Sequence, residues 1–180
     1  TVVLPNTTTS QARIKVEAAG NIFFDLSNVN FTITAIVNGL DYGDAPDVPY
    51  GTLLASNGPR HTIGGPSLGL GFPDAEANGQ PNAAATGDGS DEDGVTPFEP
   101  LVAGTTVQLR VTSSAGGAKL NYFFDFDGTG GFGNNANEIF SRTLVGGVER
   151  IPVTIPVGVV GTIFARFRIS SAGGLTAFGA

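Results

Sequence analysis

The sequence predicts an all-β chain, an antiparallel β-sandwich carrying one long acidic loop excursion. Glycine supplies 27 of the 180 residues and proline 11, and backbone punctuation this dense breaks helices. Apolar and polar residues alternate at period two on both sides of residues 41–93, as they do in a strand with one dry face and one wet face. Eight to ten such segments separated by turn residues suit a sandwich, and 41% hydrophobic residues supply a core for it.

The elements follow in order. Residues 1–5 (Thr-Val-Val-Leu-Pro) form a short apolar run ahead of the polar tether 6–10. On a tether, such a run reads either as a donor strand for a neighbouring subunit's sheet edge or as an internal edge strand. In residues 11–18, Ala12, Ile14 and Val16 alternate with Arg13, Lys15 and Glu17, which predicts a strand. Residues 21–26 and 30–36 read as two more strands, and Asn38-Gly39 as a turn. Residues 1–40 therefore form an N-terminal strand section, and 41–180 the main module. In the last half, 105–112 places Val107, Leu109 and Val111 inward, and 120–126 is aromatic and β-favouring. Residues 139–144, 150–155 and 162–169 complete the set. The last puts Ile163, Ala165, Phe167 and Ile169 on the dry face, with Arg166 and Arg168 on the wet one.

Residues 41–93 break this rhythm. They hold six of the eleven prolines, nine of the sixteen acidic residues and one of the nine basic ones, Arg60. Loops are usually ~4–6 residues long, so a segment this long without periodicity needs an organising principle other than a core. Its acids fall in three groups: Asp41, Asp44 and Asp47; Asp74 and Glu76; and the run 88–94 with Asp88, Asp91, Glu92 and Asp93. Drawing like charges together costs several kcal/mol at short range. A divalent cation reverses the sign of that term and couples binding to local folding. Calcium is the ion expected, with Asp41, Asp44, Asp47, Asp74, Glu76, Asp91, Glu92 and Asp93 as ligands; magnesium demands stricter octahedral geometry. The competing reading is a solvated loop.

A second oxygen-rich segment lies at 125–138. Asp125, Asp127 and Thr129 stand at alternate positions before Gly130, and Glu138 is placed to reach back. Calcium takes six to eight oxygens, and alternating residues in a tight glycine-bearing turn aim theirs inward. The spacing departs from a helix–loop–helix calcium site, which wants its closing Glu where Ala136 stands. Here the alternative is an ordinary hairpin loop.

The phrases Asp41-Tyr-Gly-Asp-Ala-Pro-Asp-Val-Pro-Tyr-Gly-Thr-Leu-Leu-Ala55, Gly58-Pro-Arg-His61, Asp74-Ala-Glu-Ala-Asn-Gly-Gln-Pro81 and Ala85-Thr-Gly-Asp-Gly-Ser-Asp-Glu-Asp-Gly-Val95 resemble the GEVED-type domain. So do Tyr122-Phe-Phe-Asp-Phe-Asp-Gly-Thr-Gly130 and Phe164-Ala-Arg-Phe-Arg-Ile-Ser-Ser-Ala-Gly-Gly-Leu175. That family occurs in large, repetitive, exported bacterial surface proteins, and the resemblance spans roughly residues 41–175. It implies an extracellular, calcium-dependent, β-rich module with adhesive or structural duty. The family's namesake acidic motif would come just after the Gly-Gly-Leu segment, which leaves the expectation of a piece cut or processed from a longer chain; a start at Thr1 without any methionine fits that expectation. Residues 11–36 also resemble a β-rich segment of some secreted bacterial metalloproteases, without their zinc-binding motif.

Other chemistries fit poorly. Cysteine is absent, which excludes thiol catalysis and thiolate metal sites, and His61 is the sole histidine. A Ser–His–Asp triad has no nucleophile elbow here, and 128–133 lacks the Lys-Ser/Thr ending of a phosphate cradle. A net charge of −7 argues against nucleic acid and anionic membrane surfaces. No apolar run approaches the ~20 residues of a membrane-spanning helix. The expectation is a non-catalytic, calcium-stabilised module at the cell surface, self-associating or abutting neighbouring domains of the same protein, and assembled into a filament by strand addition in its sharpest form. The alternative is a carbohydrate- or peptide-binding accessory domain of a secreted enzyme, presenting a concave face of Tyr42, Tyr50 and Tyr122 to a surface glycan.

Overall fold

A computed structural model describes residues 9–17, 19–20, 24–33, 39–89 and 93–180. The chain divides into two compact units, residues 1–37 and 38–180. Among the described residues strands dominate, helix is almost absent, and every strand pairing is antiparallel.

The first unit contains β1 (Thr9–Ala12), β2 (Lys15–Glu17), β3 (Phe24–Leu26) and β4 (Phe31–Ile33), paired as β1–β4 and β2–β3. The single strand expected over 11–18 is interrupted at Arg13 and Ile14. The reason is local competition for hydrogen bonds. The Ile14 amide donates to Ser27 Oγ (3.2 Å), Arg13 Nε donates to Asn30 Oδ1 (2.7 Å), and the Ser27 amide donates to the Ile14 carbonyl (2.9 Å). Ile14 and Val16, expected on a dry face, are 50% and 66% exposed. The proposed donor strand at 1–5 lies outside the described residues.

The second unit contains β5 (Leu40–Tyr42), β6 (Arg60–Thr62), β7 (Val95–Pro97), β8 (Thr106–Ser113), β9 (Lys119–Phe124), β10 (Ile139–Thr143), β11 (Gly147–Thr154) and β12 (Ala165–Ser170). One three-stranded sheet runs β11–β8–β7 and another β10–β9–β12, while β5 and β6 form a ribbon. In the β8–β11 ladder Val107 faces Val153 and Leu109 faces Ile151. These residues join Leu120, Tyr122 and Phe124 of β9 and Ile169 of β12 in one buried cluster, so both sheets contribute to a single core. The inward positions of Val107, Leu109 and Val111 match the period-two pattern of 105–112.

Strand β9 is buried on both faces. Leu120, Tyr122 and Phe124 enter the main core; Phe123, on the other side, joins Ala45, Tyr50, Phe132 and Ala177 in a second cluster. The excursion is therefore not coreless as expected: Tyr50 stacks on Phe132 with ring centroids 4.7 Å apart, and Leu68 enters the main core. Arg166 and Arg168, expected on a wet face, are 7% and 2% exposed. The excursion and the C-terminal tail cover that face of β12, because these two guanidinium groups hold their carbonyls. Arg166 donates to the carbonyls of Tyr50, Gly51 and Ala177 and to Thr52 Oγ1. Arg168 donates to the carbonyls of Arg60, Thr176, Phe178 and Gly179 and to His61 Nε2. A segment without sheet periodicity carries many backbone acceptors that need donors when buried, and a planar guanidinium supplies five.

Candidate metal centres

The connection from β9 to β10 builds the first site. Ile139 pairs with Phe123 across the ladder, so the hairpin opens just beyond that pair and Asp125 and Glu138 stand at its mouth. Stacked rings of Phe124 and Phe126, 4.7 Å between centroids, hold the outgoing strand. Gly130 has φ +84°, a left-handed conformation that glycine adopts without strain, and its amide donates to Asp125 Oδ2 (3.1 Å). The same oxygen accepts the Tyr50 hydroxyl at 2.6 Å. Glu138 Oε1 accepts the amides of Phe126 (2.7 Å) and Asp127 (3.1 Å).

That leaves Asp125 Oδ1 and Glu138 Oε2. Both residues are 1% exposed, and neither oxygen has a hydrogen-bond partner. A buried carboxylate oxygen without a partner carries the desolvation cost of the charge with nothing in return. Asp127 contributes a third carboxylate, and one oxygen from each of the three lies within 4.8 Å of the others. At that spacing like charges repel one another, most strongly where burial removes the screening water. Hard oxygens, converging negative charge and orphaned buried atoms are what a calcium ion requires, so the residues present fit that ion. Thr129, also among the expected ligands, braces Asp127: its hydroxyl and amide donate to Asp127 Oδ1 (2.7 and 3.1 Å), and its Oγ1 accepts from Asn134. Those two donors from Thr129 hold the Asp127 carboxyl below its usual pKa and keep it charged.

The second site draws on the excursion. Asp41 of β5, Glu76 and Asp88 each place one carboxylate oxygen within 4.8 Å of the others, bringing together one acid from each of the three stretches. Glu76 pairs with Leu40 as an isolated bridge and accepts the Tyr42 amide at 3.0 Å. Burial first, then a hydrogen bond with Asp74, and then the charges of Asp88 and Asp41 push the Glu76 carboxyl up to about 8. Asp88 was not among the expected ligands, and its signal was its membership of the third acidic run. The other expected ligands divide. Asp47 organises a turn, accepting the Thr52 and Leu53 amides (2.8 Å each) and the Ser56 hydroxyl. Asp44 accepts the Gly87 amide, and burial raises its pKa. Asp74 is exposed. Asp93 lines a cavity of about 350 Å³ with Asp41, Asp44 and Asp88. Asp91 and Glu92 lie outside the described residues.

No family model, curated protein or solved structure matches this chain.

The site must therefore be read from its own geometry. His61 Nε2 accepts from Arg168 Nε at 3.0 Å. Burial, then the adjacent Arg168 charge, lowers its pKa to about 4. The imidazole is thus neutral and engaged in holding β12 to β6. Tyr42, Tyr50 and Tyr122 are 5%, 6% and 5% exposed, so the concave tyrosine face expected of a glycan-stacking platform is not formed by these three rings. Sequence reasoning missed Arg166 and Arg168, the two basic residues that fasten the excursion.

Proposed function

We propose that this chain is a non-catalytic, calcium-stabilised structural or adhesive module of an exported surface protein. The observation that carries the reading is the pair of buried, unpartnered oxygens on Asp125 and Glu138, converging with Asp127. The Asp41–Glu76–Asp88 grouping supports it, as does the GEVED-type resemblance, which supplies the extracellular setting. Calcium binding at the hairpin mouth stabilises the end of β9, and through Tyr50 it stabilises the excursion. His61 serves as an acceptor for Arg168 rather than as a base.

Thermal unfolding in calcium against unfolding in chelator tests this. A ligand at a hundred times its dissociation constant raises stability by ~2.7 kcal/mol per independent site. A melt indifferent to chelator overturns the proposal.

A further inference from the structure

We propose that calcium at Asp125, Asp127 and Glu138 is itself a ligand-binding centre, and that its open coordination positions take adjacent hydroxyl groups of a neutral saccharide. This inference rests on the calcium reading above and goes beyond it. The two carboxylate oxygens left free at full burial, Asp125 Oδ1 and Glu138 Oε2, together with Asp127 at the exposed rim, supply about three donors. Calcium takes six to eight, so roughly half its sphere is left for other oxygens.

The open side has a shape. A cleft of about 290 Å³ is lined by Asp127 and Glu138 together with Asn135, Asn137, Val157 and Val159. Its volume lies at the lower end of small-molecule sites. Val157 is 85% exposed, which leaves an apolar surface at the cleft for the C–H face of a ring. The asparagine side chains offer both donors and acceptors to hydroxyls.

Charge selects the ligand class. Three carboxylates with one divalent cation carry a net −1, on a chain whose own net charge is −7. A carboxylate or phosphate ligand meets repulsion there, and a neutral oxygen donor does not. Two hydroxyls held side by side on a ring displace two calcium-bound waters at once, with less ordering cost than separate ligands. This mode needs no aromatic platform, in keeping with the burial of all three tyrosines.

The test is saturation-transfer NMR on the whole chain with methyl mannoside, galactoside, fucoside and glucoside at about 10 mM, ten times a ~1 mM dissociation constant. Spectra are taken in calcium, in magnesium and in chelator, with acetate as the anionic probe and thermal melts run in parallel. Glycoside signal that appears in calcium and vanishes in chelator, and is lost in Asp127→Asn, supports the inference. Asp127 is exposed and Glu138 is buried, so Asp127→Asn disturbs the core less than Glu138→Gln, and the parallel melt checks its folding. A calcium-raised melt with no glycoside signal overturns the saccharide site and leaves the calcium reading standing. Signal from acetate alone overturns the ligand class. A melt unmoved by calcium overturns both.

Discussion

The Tyr50 hydroxyl donates to Asp125 Oδ2 at 2.6 Å, joining the acidic excursion to the hairpin mouth across 75 positions of sequence. Tyr50 is 6% exposed and Asp125 1%, so the bond is shielded from water. Burial, followed by the Asp125 bond and charge, raises the Tyr50 pKa, and the phenol stays protonated as a donor. Its ring stacks on Phe132 and contacts Phe164. A single residue thus ties the order of the excursion to the order of the candidate calcium site. Tyr50→Phe keeps the ring and removes the donor, leaving Asp125 Oδ2 with the Gly130 amide alone. The expected loss is about 1–3 kcal/mol, together with weaker calcium binding, read from denaturant unfolding with and without the ion. A loss below ~0.5 kcal/mol in both conditions contradicts the coupling.

Arg168 donates five hydrogen bonds to four carbonyls and one imidazole, and neither of the two side-chain ion pairs found among the described residues involves it. Its charge is dispersed over backbone dipoles. Arg168→Lys keeps the charge but offers three rotatable donors in place of a planar fork. The carbonyls of the C-terminal tail at Thr176–Gly179 then lose donor partners, at an expected cost of about 2–4 kcal/mol. Limited proteolysis is the measurement: cleavage within 171–180 and 57–62 rises in the variant while 106–124 stays protected. Uniform protection at both segments is inconsistent with the fastening role.

Strand β8 was legible because over most of its length it buries one face and displays the other. Residues 105–112 read correctly since Val107, Leu109 and Val111 face one core. The same rule misplaced Arg166 and Arg168, because alternation reports which face meets the main core and is silent on what covers the opposite face. It misplaced Ile14 and Val16 as well, where Ser27 and Asn30 draw the Arg13–Ile14 segment out of the ladder. Asp125, Asp127 and Glu138 were legible because they lie within one hairpin, where spacing alone limits geometry. Asp41, Glu76 and Asp88 meet through long-range folding, so sequence gave their three stretches and left the choice of Asp88 to tertiary structure.

Stability should carry a pH signature from His61. Its pKa in the folded chain is lowered to about 4 from 6.5, so the unfolded chain binds the proton first as pH falls. The neutral imidazole's contribution is fully present above pH 6.5 and is lost as pH falls from there through about 4, with a slope of at most about 1.4 kcal/mol per pH unit. Glu76 pulls the other way: its pKa is raised to about 8, so its contribution is present below the unfolded value near 4.5 and is lost as pH rises through 8. The two slopes oppose each other between 4.5 and 6.5, so a single profile hides both. Subtracting the profile of His61→Gln, which keeps an acceptor for Arg168 without a titrating ring, isolates the histidine. The difference should grow as pH rises from 4 to 6.5 and then level off. A flat difference means that the imidazole titrates normally in the fold.

Removing a carboxylate at the hairpin mouth should cost far more stability with the metal than without it. Without calcium, the neighbouring acids Asp125 and Glu138 oppose the charge of Asp127, while the two Thr129 donors favour it and hold its pKa down, so Asp127→Asn does not stabilise the folded chain. With calcium at a hundred times its dissociation constant for the parent chain, the same substitution removes one charged donor and most of the ~2.7 kcal/mol that binding adds. The variant should therefore melt at or slightly below the parent in chelator and well below it in calcium. A hairpin acid with only a local structural role gives the same loss in both solutions. An equal loss of stability in chelator and in calcium would identify Asp127 as an acceptor for Thr129 and nothing more.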